Sequence, residues 1–429
     1  MFDKQFDKQW NSFLEAKAIA LKLTPSQTRV FLARFSYANW LKTREDIWQS
    51  SDVNSFESFV RHLTDVFKAL RTCCTGIGRG AGNFHVARDC LLAEFKTLNT
   101  SGTSKELFGK EKQEAERELA QPGALVRIKA PSKMGKTRLL NNILNSASEQ
   151  NYAIVHINLL QIETAKLKSL DLFLRWFCTY LSDALNLHSE LNNYWSQDRG
   201  SMLSCTRYLE AVLSQSKQPL VIALDDLDRL LGYPEISQDF FYLLRSWHED
   251  ASCEEVWEQL RLIVVYSTED FGNLDINQSP FNVGLPIELK FIERSQLTQL
   301  ARDYNLDLSS AELDRLMTVL GGHPYLVDLL LANLAADDKT SLDELLQEAV
   351  SNAGIYSSYL RQHLVNLSAN SELTEILLAI INSSQPIQVD TLLGYQLYRM
   401  GLIKWCDRNY VVPSCELFRL YFLPRLMVE

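Results

Sequence analysis

Long apolar runs are missing from this 429-residue chain. No stretch approaches the roughly 20 residues that a bilayer-spanning helix needs, so no membrane association is expected. Yet 46% of the residues are hydrophobic, enough for a sizeable core. The eight cysteines lack the spacing of a zinc or redox site. Cys73 and Cys74 are adjacent, which rarely permits a bridge, and Cys406 and Cys415 have no companion ligands. Reduced, buried thiols are the expectation. The seven histidines are scattered without a zinc pattern. Repeats and low-complexity tracts are absent. The opening Met1-Phe2-Asp3-Lys4 lacks the charged-then-apolar layout of a secretory signal, and a cytoplasmic location is expected. Surplus positive charge is also missing. The net charge of −10 argues against a surface coated by nucleic acid. Residues 1–100 differ, with 14 Lys and Arg against 10 Asp and Glu, so a modest DNA contact there stays open.

Two short segments carry the chemistry. Leu125-Val126-Arg127-Ile128-Lys129 is a β-rich apolar run suited to a buried strand. Ala130-Pro131-Ser132-Lys133-Met134-Gly135-Lys136-Thr137 follows at once, and then Leu139, Leu140, Ile143 and Leu144 recur at helical spacing. Strand, loop and helix in this order are the context that a phosphate-binding loop requires. Such a loop turns successive backbone N–H groups inward at the N-terminus of a helix, whose dipole favours anions. Gly135 supplies the backbone freedom for that wrapping. Lys136 is expected to reach the β- and γ-phosphates and the Thr137 hydroxyl to ligate Mg²⁺; Arg138 completes the candidate nucleotide-binding run. The usual first glycine is Ala130, the smallest substitute.

The second segment, Val221-Ile222-Ala223-Leu224-Asp225-Asp226, reads as a buried parallel strand ending in carboxylates. Carboxyl ends of such strands are where ligands bind. Asp225 is the candidate Mg²⁺ partner and Asp226 the candidate for polarising an attacking water. Paired carboxylates suggest the subclass of P-loop proteins with an additional strand between the two motifs, and Ala153-Ile154-Val155-His156-Ile157 is a strand candidate in that interval. Asp228 and Arg229 follow, and Asp228 is read equally as a structural residue or as a contact to a neighbour or phosphate. A further strand, Leu262 to Tyr266, ends in Ser267-Thr268, where Thr268 is either a γ-phosphate sensor or a simple strand end.

The expected organisation has five parts: residues 1–98, helical and winged-helix-like; a polar linker over 99–122, with a short helix leading into the first strand; the α/β nucleotide domain over 123–292; a helical lid over 293–355; and a C-terminal winged helix over 356–429. In the first part, Ser55 to Leu70 is the candidate recognition helix, with Glu57, Arg61, His62 and Lys68, and the glycine run from Thr75 to Gly82 is a candidate wing. In the last, Leu402 to Trp405 and Tyr410 to Val412 read as a hairpin. Gly321-Gly322-His323-Pro324 interrupts the helical lid, with Pro324 at the first turn of the next helix.

Residues from about 121 to 423 resemble the AAA-like ATPase domain family of bacteria, grouped with the STAND class of signal-transduction NTPases. The resemblance is carried by Gln121 to Pro131 with Met134-Gly135-Lys136-Thr137, by Leu224 to Asp228, by Gly321 to Leu326, and by Met400-Gly401-Leu402 with Val412 to Arg419. It implies a P-loop core with a lid and a winged helix that closes over the nucleotide. It implies that Pro324, in Gly322-His323-Pro324, packs on adenine. It also implies an ADP-bound closed form, an ATP-bound open form that assembles, and an N-terminal module that sets the output. Two departures stand out: Ser414 occupies a position where the family often has Arg, and Gly109-Lys110-Glu111 replaces the usual aromatic-Arg-Pro lead-in.

Three functions follow as expectations. The first is an ATP/ADP- and Mg²⁺-dependent switch with slow ATPase activity, acting through residues 1–98 on a protein partner and able to form a nucleotide-dependent homo-oligomer. The second is a DNA-acting AAA+-like ATPase. The third is a scaffold that binds nucleotide without hydrolysing it, against which intact Lys136, Thr137, Asp225 and Asp226 argue. ATP over GTP rests on the resemblance, as no guanine-reading Asn-Lys-x-Asp motif is apparent.

Overall fold

The computed structural model describes residues 4–36, 39, 44–49, 51, 53, 55–71, 84, 87, 88, 90, 91, 107–187, 191–196, 198–267, 280–336, 341–407 and 409–427. Two compact units separate, Met1–Gly102 and Thr103–Glu429.

In the first unit, α1 (Lys4–Ala20), α2 (Pro25–Phe35), α3 (Arg44–Gln49) and α4 (Phe56–Leu70) gather an aromatic core. Trp10, Phe31, Phe35, Phe59 and Leu63 are buried there, and the Trp10 indole donates to the Phe35 carbonyl at 2.9 Å. Thr24 caps α2, with Pro25 opening the helix and Gln27 closing a capping box. The candidate wing, Thr75 to Gly82, lies outside the described residues.

The second unit opens with α5 (Gly109–Leu119). This is the helix expected ahead of the first strand. It is no tether, because Ala115 and Leu119 are buried in the same cluster as the first strand. The strands β1 (Leu125–Lys129), β2 (Ala153–Asn158), β3 (Leu220–Asp225), β4 (Leu260–Tyr266) and β5 (Leu285–Glu288) form one sheet in the order β2-β3-β4-β1-β5, with every pairing parallel. The inserted strand between the two motif strands is β4. The interval candidate is a strand, β2, but it pairs on the outer side of β3.

Every residue of β3 and β4 is buried, as expected for a sheet covered on both faces. Side chains alternate across it. Val126, Ile128, Val221, Ala223, Ile263 and Val265 face one core, shared with Leu139, Leu140 and Ile143 of α6 (Lys136–Glu149). Leu125, Ile222, Leu224, Leu262 and Val264 face the other. There they meet α7 (Leu170–Ala184), α8 (Ser201–Gln215) and α9 (Pro234–Asp250) through residues such as Phe177 and Trp247. Phe177 is buried in this second cluster, and Trp176 and Tyr180 pack half-buried against it.

Beyond the sheet come α10 (Arg294–Asp303), α11 (Ser310–Leu320), α12 (Pro324–Ala336), α13 (Leu342–Glu348), α14 (Ser357–Ser368) and α15 (Ser371–Asn382). The chain finishes with β6 (Ile387–Gln388), α16 (Thr391–Arg399), β7 (Ile403–Asp407), β8 (Tyr410–Pro413) and α17 (Glu416–Leu426). The last three strands form a separate antiparallel sheet, β6-β8-β7. No described helix is long and apolar enough to cross a membrane.

Candidate nucleotide site

β1 delivers the chain to the carboxyl edge of the sheet, and residues 130–135 turn it back into α6. Gly135 occupies the left-handed region at φ 97° and starts α6 without a side-chain cap. The helix's leading N–H groups therefore keep their donor capacity for an anion. A β-carbon at Gly135 would lie 2.8 Å from Cζ of Phe108, so this position needs glycine for space as well as for φ. At the first position, Ala130 is buried at 1% exposure; its methyl group belongs to the apolar cluster under the loop.

Lys136 is 9% exposed. Its ammonium donates to the carbonyls of Ala130 at 2.8 Å and Pro131 at 2.9 Å. Burial pushes its pKa down to about 8, against the charges of Asp228, Asp226 and Asp225, while the Arg399 charge works with burial. The Thr137 hydroxyl donates to Asp225 Oδ2 at 3.0 Å, so the two expected metal ligands are in contact. Asp225 is 1% exposed and its Oδ1 accepts the Asp226 N–H at 3.0 Å. Asp226 sits at φ 58°, in the left-handed region, and its Oδ2 accepts from the Asn158 amide at 3.2 Å. Burial raises the pKa of Asp225; burial and then the Asp225 charge raise that of Asp226. A hydroxyl beside partly desolvated carboxylates is the hard-oxygen set that Mg²⁺ takes, and a divalent ion there would reverse both shifts.

Asn158 escaped the sequence reading. Its only signal is register: it ends β2 directly opposite Asp225. His156, two residues earlier, places Nε2 4.0 Å from Asp225 Oδ2, and burial lowers its pKa. Asp228 has a definite task, since its Oδ2 accepts the Ser267 N–H at 2.7 Å and ties the end of β4 to the segment after β3. Thr268 lies outside the described residues.

The Gly321–Pro324 segment stands beside the loop. Gly321 and Gly322 have φ of 60° and 71°. A β-carbon would fall 2.0 Å from the Ser414 carbonyl oxygen at the first and 2.2 Å from that of Ile292 at the second. Three chain segments thus meet backbone to backbone. The Lys404 ammonium donates to the Gly321 carbonyl at 2.6 Å, and the Gly322 carbonyl accepts the Ile292 N–H at 2.8 Å. His323 is fully buried, with Nε2 3.4 Å from the Tyr359 hydroxyl. Burial pushes its pKa down to about 3. Pro324, also buried, opens α12. From the same helix, the Tyr325 ring centroid is 5.5 Å from the Lys133 ammonium, and Asp328 pairs with Arg138 at 3.5 Å. Arg138 thus joins α6 to α12.

The C-terminal segment reaches the same place. The Arg399 carbonyl accepts the Ser132 N–H at 2.8 Å. A β-carbon on Gly401 would be 3.2 Å from His323 Nε2 and 3.5 Å from the Ser132 carbonyl oxygen. Ser414, which stands where the family often has Arg, is buried and donates its hydroxyl to the Gly401 carbonyl at 2.6 Å.

Known proteins share this arrangement at the level of fold. Residues 108–424 match the family model described as AAA-like domain. The match begins at Phe108, directly before Gly109-Lys110-Glu111. Among solved structures, the chain is similar to the Walker-type ATPase PABY2304 of Pyrococcus abyssi, with 14% identity, a TM-score of 0.54, and coverage of 73% of this chain and 95% of that one. It also matches the Aeropyrum pernix ORC2 protein in ADPNP–ADP complexes, at 15% identity and a TM-score of 0.46 over 76% and 96% of the two chains. AMPPCP-bound DnaA from Aquifex aeolicus matches at 13% identity and a TM-score of 0.35, over 69% and 74%. No curated protein matches the sequence.

Proposed function

The chain belongs to the AAA-like domain family, and from that premise we propose that it is an ATP-binding switch of STAND type with slow ATPase activity, closed with ADP and open with ATP. The observation that carries this reading is the hydrogen bond from the Ser132 N–H to the Arg399 carbonyl. It fastens the C-terminal element directly to the phosphate loop, so whatever occupies the loop bears on whether that element stays docked. A ligand shifts such an equilibrium only by the difference in its contacts with the two states.

In this reading the N–H groups of residues 133–137 and the Lys136 ammonium bind the phosphates. Thr137 and Asp225, in contact with each other, would hold Mg²⁺, which would supply neutralisation of phosphate charge. Asp226, oriented by the Asn158 amide, positions the attacking water and accepts its proton. The raised pKa of Asp226 suits a base. Pro324 and Phe108 flank the base of the nucleotide. We read residues 293–355 as the lid and 356–429, with the β6-β8-β7 sheet, as a winged helix.

Residues 1–98 are the output module, and a protein partner fits them better than DNA. The exposed positions of α4 include Glu57, Arg61, Asp65 and Lys68, an even mixture of signs. A DNA-reading face needs a cationic surplus. The second reading, a DNA-acting ATPase, draws on the basic balance of residues 1–100. It requires duplex binding that weakens steeply across a salt series; absence of binding at low salt removes it.

The test of the switch is mass and shape in solution with ADP and then with a slowly hydrolysed ATP analogue. A more extended or larger species with the analogue is expected. Identical profiles in both nucleotides, with binding of each verified, overturn the switch.

A further inference from the structure

Arg399 ends α16, and the chain around it is held against the α/β core on two sides. Its carbonyl accepts the Ser132 N–H at 2.8 Å. One residue earlier, the Tyr398 hydroxyl donates to Glu288 Oε1, at the end of β5, at 3.1 Å. The main chain is therefore fixed while the Arg399 side chain remains exposed. Among the described residues the guanidinium has no carboxylate partner and no hydrogen bond. Its charge is nevertheless close enough to the Lys136 ammonium to disfavour it. Lys136 is already faced by Asp228, Asp226 and Asp225, so Arg399, with no such partner among the described residues, is the cation that an anion in the loop relieves. Ser414, at the position where the family often has Arg, has its hydroxyl committed to the Gly401 carbonyl.

We propose that Arg399, and not residue 414, is the contact of the C-terminal element to bound nucleotide, its guanidinium clasping the terminal phosphate of ADP from the side opposite Lys136. The inference rests on the switch reading and names the residue that makes the docked form selective for the diphosphate. A guanidinium presents paired donors in a fixed fork, suited to two phosphate oxygens at once. With ADP in the loop, Arg399 gains its anion and α16 stays on Ser132. An added γ-phosphate occupies the space into which Arg399 reaches, and the docked form loses its advantage.

The test is calorimetric titration of the full chain with Mg²⁺-ADP and with a slowly hydrolysed Mg²⁺-ATP analogue, in wild type, Arg399→Ala and Arg399→Lys. Arg399→Ala is expected to lose about tenfold or more in ADP affinity, with an analogue affinity within about twofold of wild type, and Arg399→Lys to recover part of the loss. Nucleotide-free melting should be unchanged, because the side chain has no structural partner; Arg399→Lys keeps the charge if the alanine variant folds poorly. An ADP affinity unchanged in Arg399→Ala overturns the assignment and leaves the switch reading standing. Equal losses for both nucleotides also overturn it, since terminal-phosphate selectivity is then absent. A wild-type chain that binds neither nucleotide removes the underlying reading, and this assignment with it.

Discussion

The phosphate loop and the Gly321–Pro324 joint are both short, glycine-bearing segments with positive φ, and they use that geometry for opposite ends. Gly135, at φ 97°, turns the chain so that backbone N–H groups remain available to something from outside. Gly321 and Gly322 turn it so that backbones close on one another, against Ser414 and Ile292. The loop draws its chemistry from eight consecutive residues, 130–137. The joint draws its stability from segments about 30 and 90 residues away in the chain. One place is built to be incomplete without a ligand; the other is built to be complete without one. Damage to the first should remove binding and spare the fold, and damage to the second should do the reverse.

The largest effect is expected at the joint. Gly322→Ala forces a side chain into positive φ and against the Ile292 carbonyl, and should cost about 3–4 kcal/mol of stability, read as a lower denaturant midpoint. A stable, fully folded variant would break the contrast. Next comes Lys136→Ala, which should weaken Mg²⁺-ATP binding about 100-fold while the nucleotide-free protein melts no earlier than wild type. Burial disfavours the Lys136 charge, so its removal also relieves a desolvation cost. A large fall in melting temperature would place Lys136 among structural residues. Asp226→Asn should lower turnover about 100-fold and leave nucleotide affinity within about threefold, by single-turnover and equilibrium binding measurements. Zero turnover in the parent protein would remove the enzyme reading.

Acid provides a gentler test. His323 and His363 have pKa values pushed down by burial to about 3 and about 4, below the ordinary value near 6.5. The unfolded chain takes up protons first as pH falls below 6.5, so the stability these residues permit is fully present above that point and drains away toward pH 4 and below. Denaturation midpoints measured between pH 7 and 4.5 should fall, and less so in His323→Gln. The smallest effect belongs to the loop. Lys136, with a pKa near 8, must be protonated to hold phosphate, so nucleotide affinity should decline as pH rises through 8. Burial gives the opposite sign for the unliganded fold, whose penalty from Lys136 is relieved between pH 8 and the unfolded lysine value. Calorimetry in buffers of different ionisation enthalpy should register proton uptake on binding.

Part of this contrast was legible in the bare chain. The loop, its helix, Thr137 and the Asp225–Asp226 pair could be read because each function resides in residue types at fixed local spacing. The hairpin of Leu402 to Trp405 and Tyr410 to Val412 was legible for the same reason, and β7 and β8 pair there. Asn158 was not, because its role comes from strand register, in which a residue far along the chain falls opposite Asp225. Phe108 has no local signal either, because its ring meets Gly135 only in the folded chain. The order of strands, with β4 and not β2 between the motifs, follows from crossovers that no local pattern encodes.

The amino-acid sequence alone determined that a phosphate-wrapping turn and a carboxylate-tipped strand exist, since both depend on backbone freedom, burial and charge within a few residues. Only the tertiary structure decided that Arg399 and Ser132 meet, that Ser414 is committed to Gly401, and that Arg138 pairs with Asp328 of α12. Those partners are brought together by the packing of whole elements, and the free energy of that packing is spread over cores with no signature in any one segment.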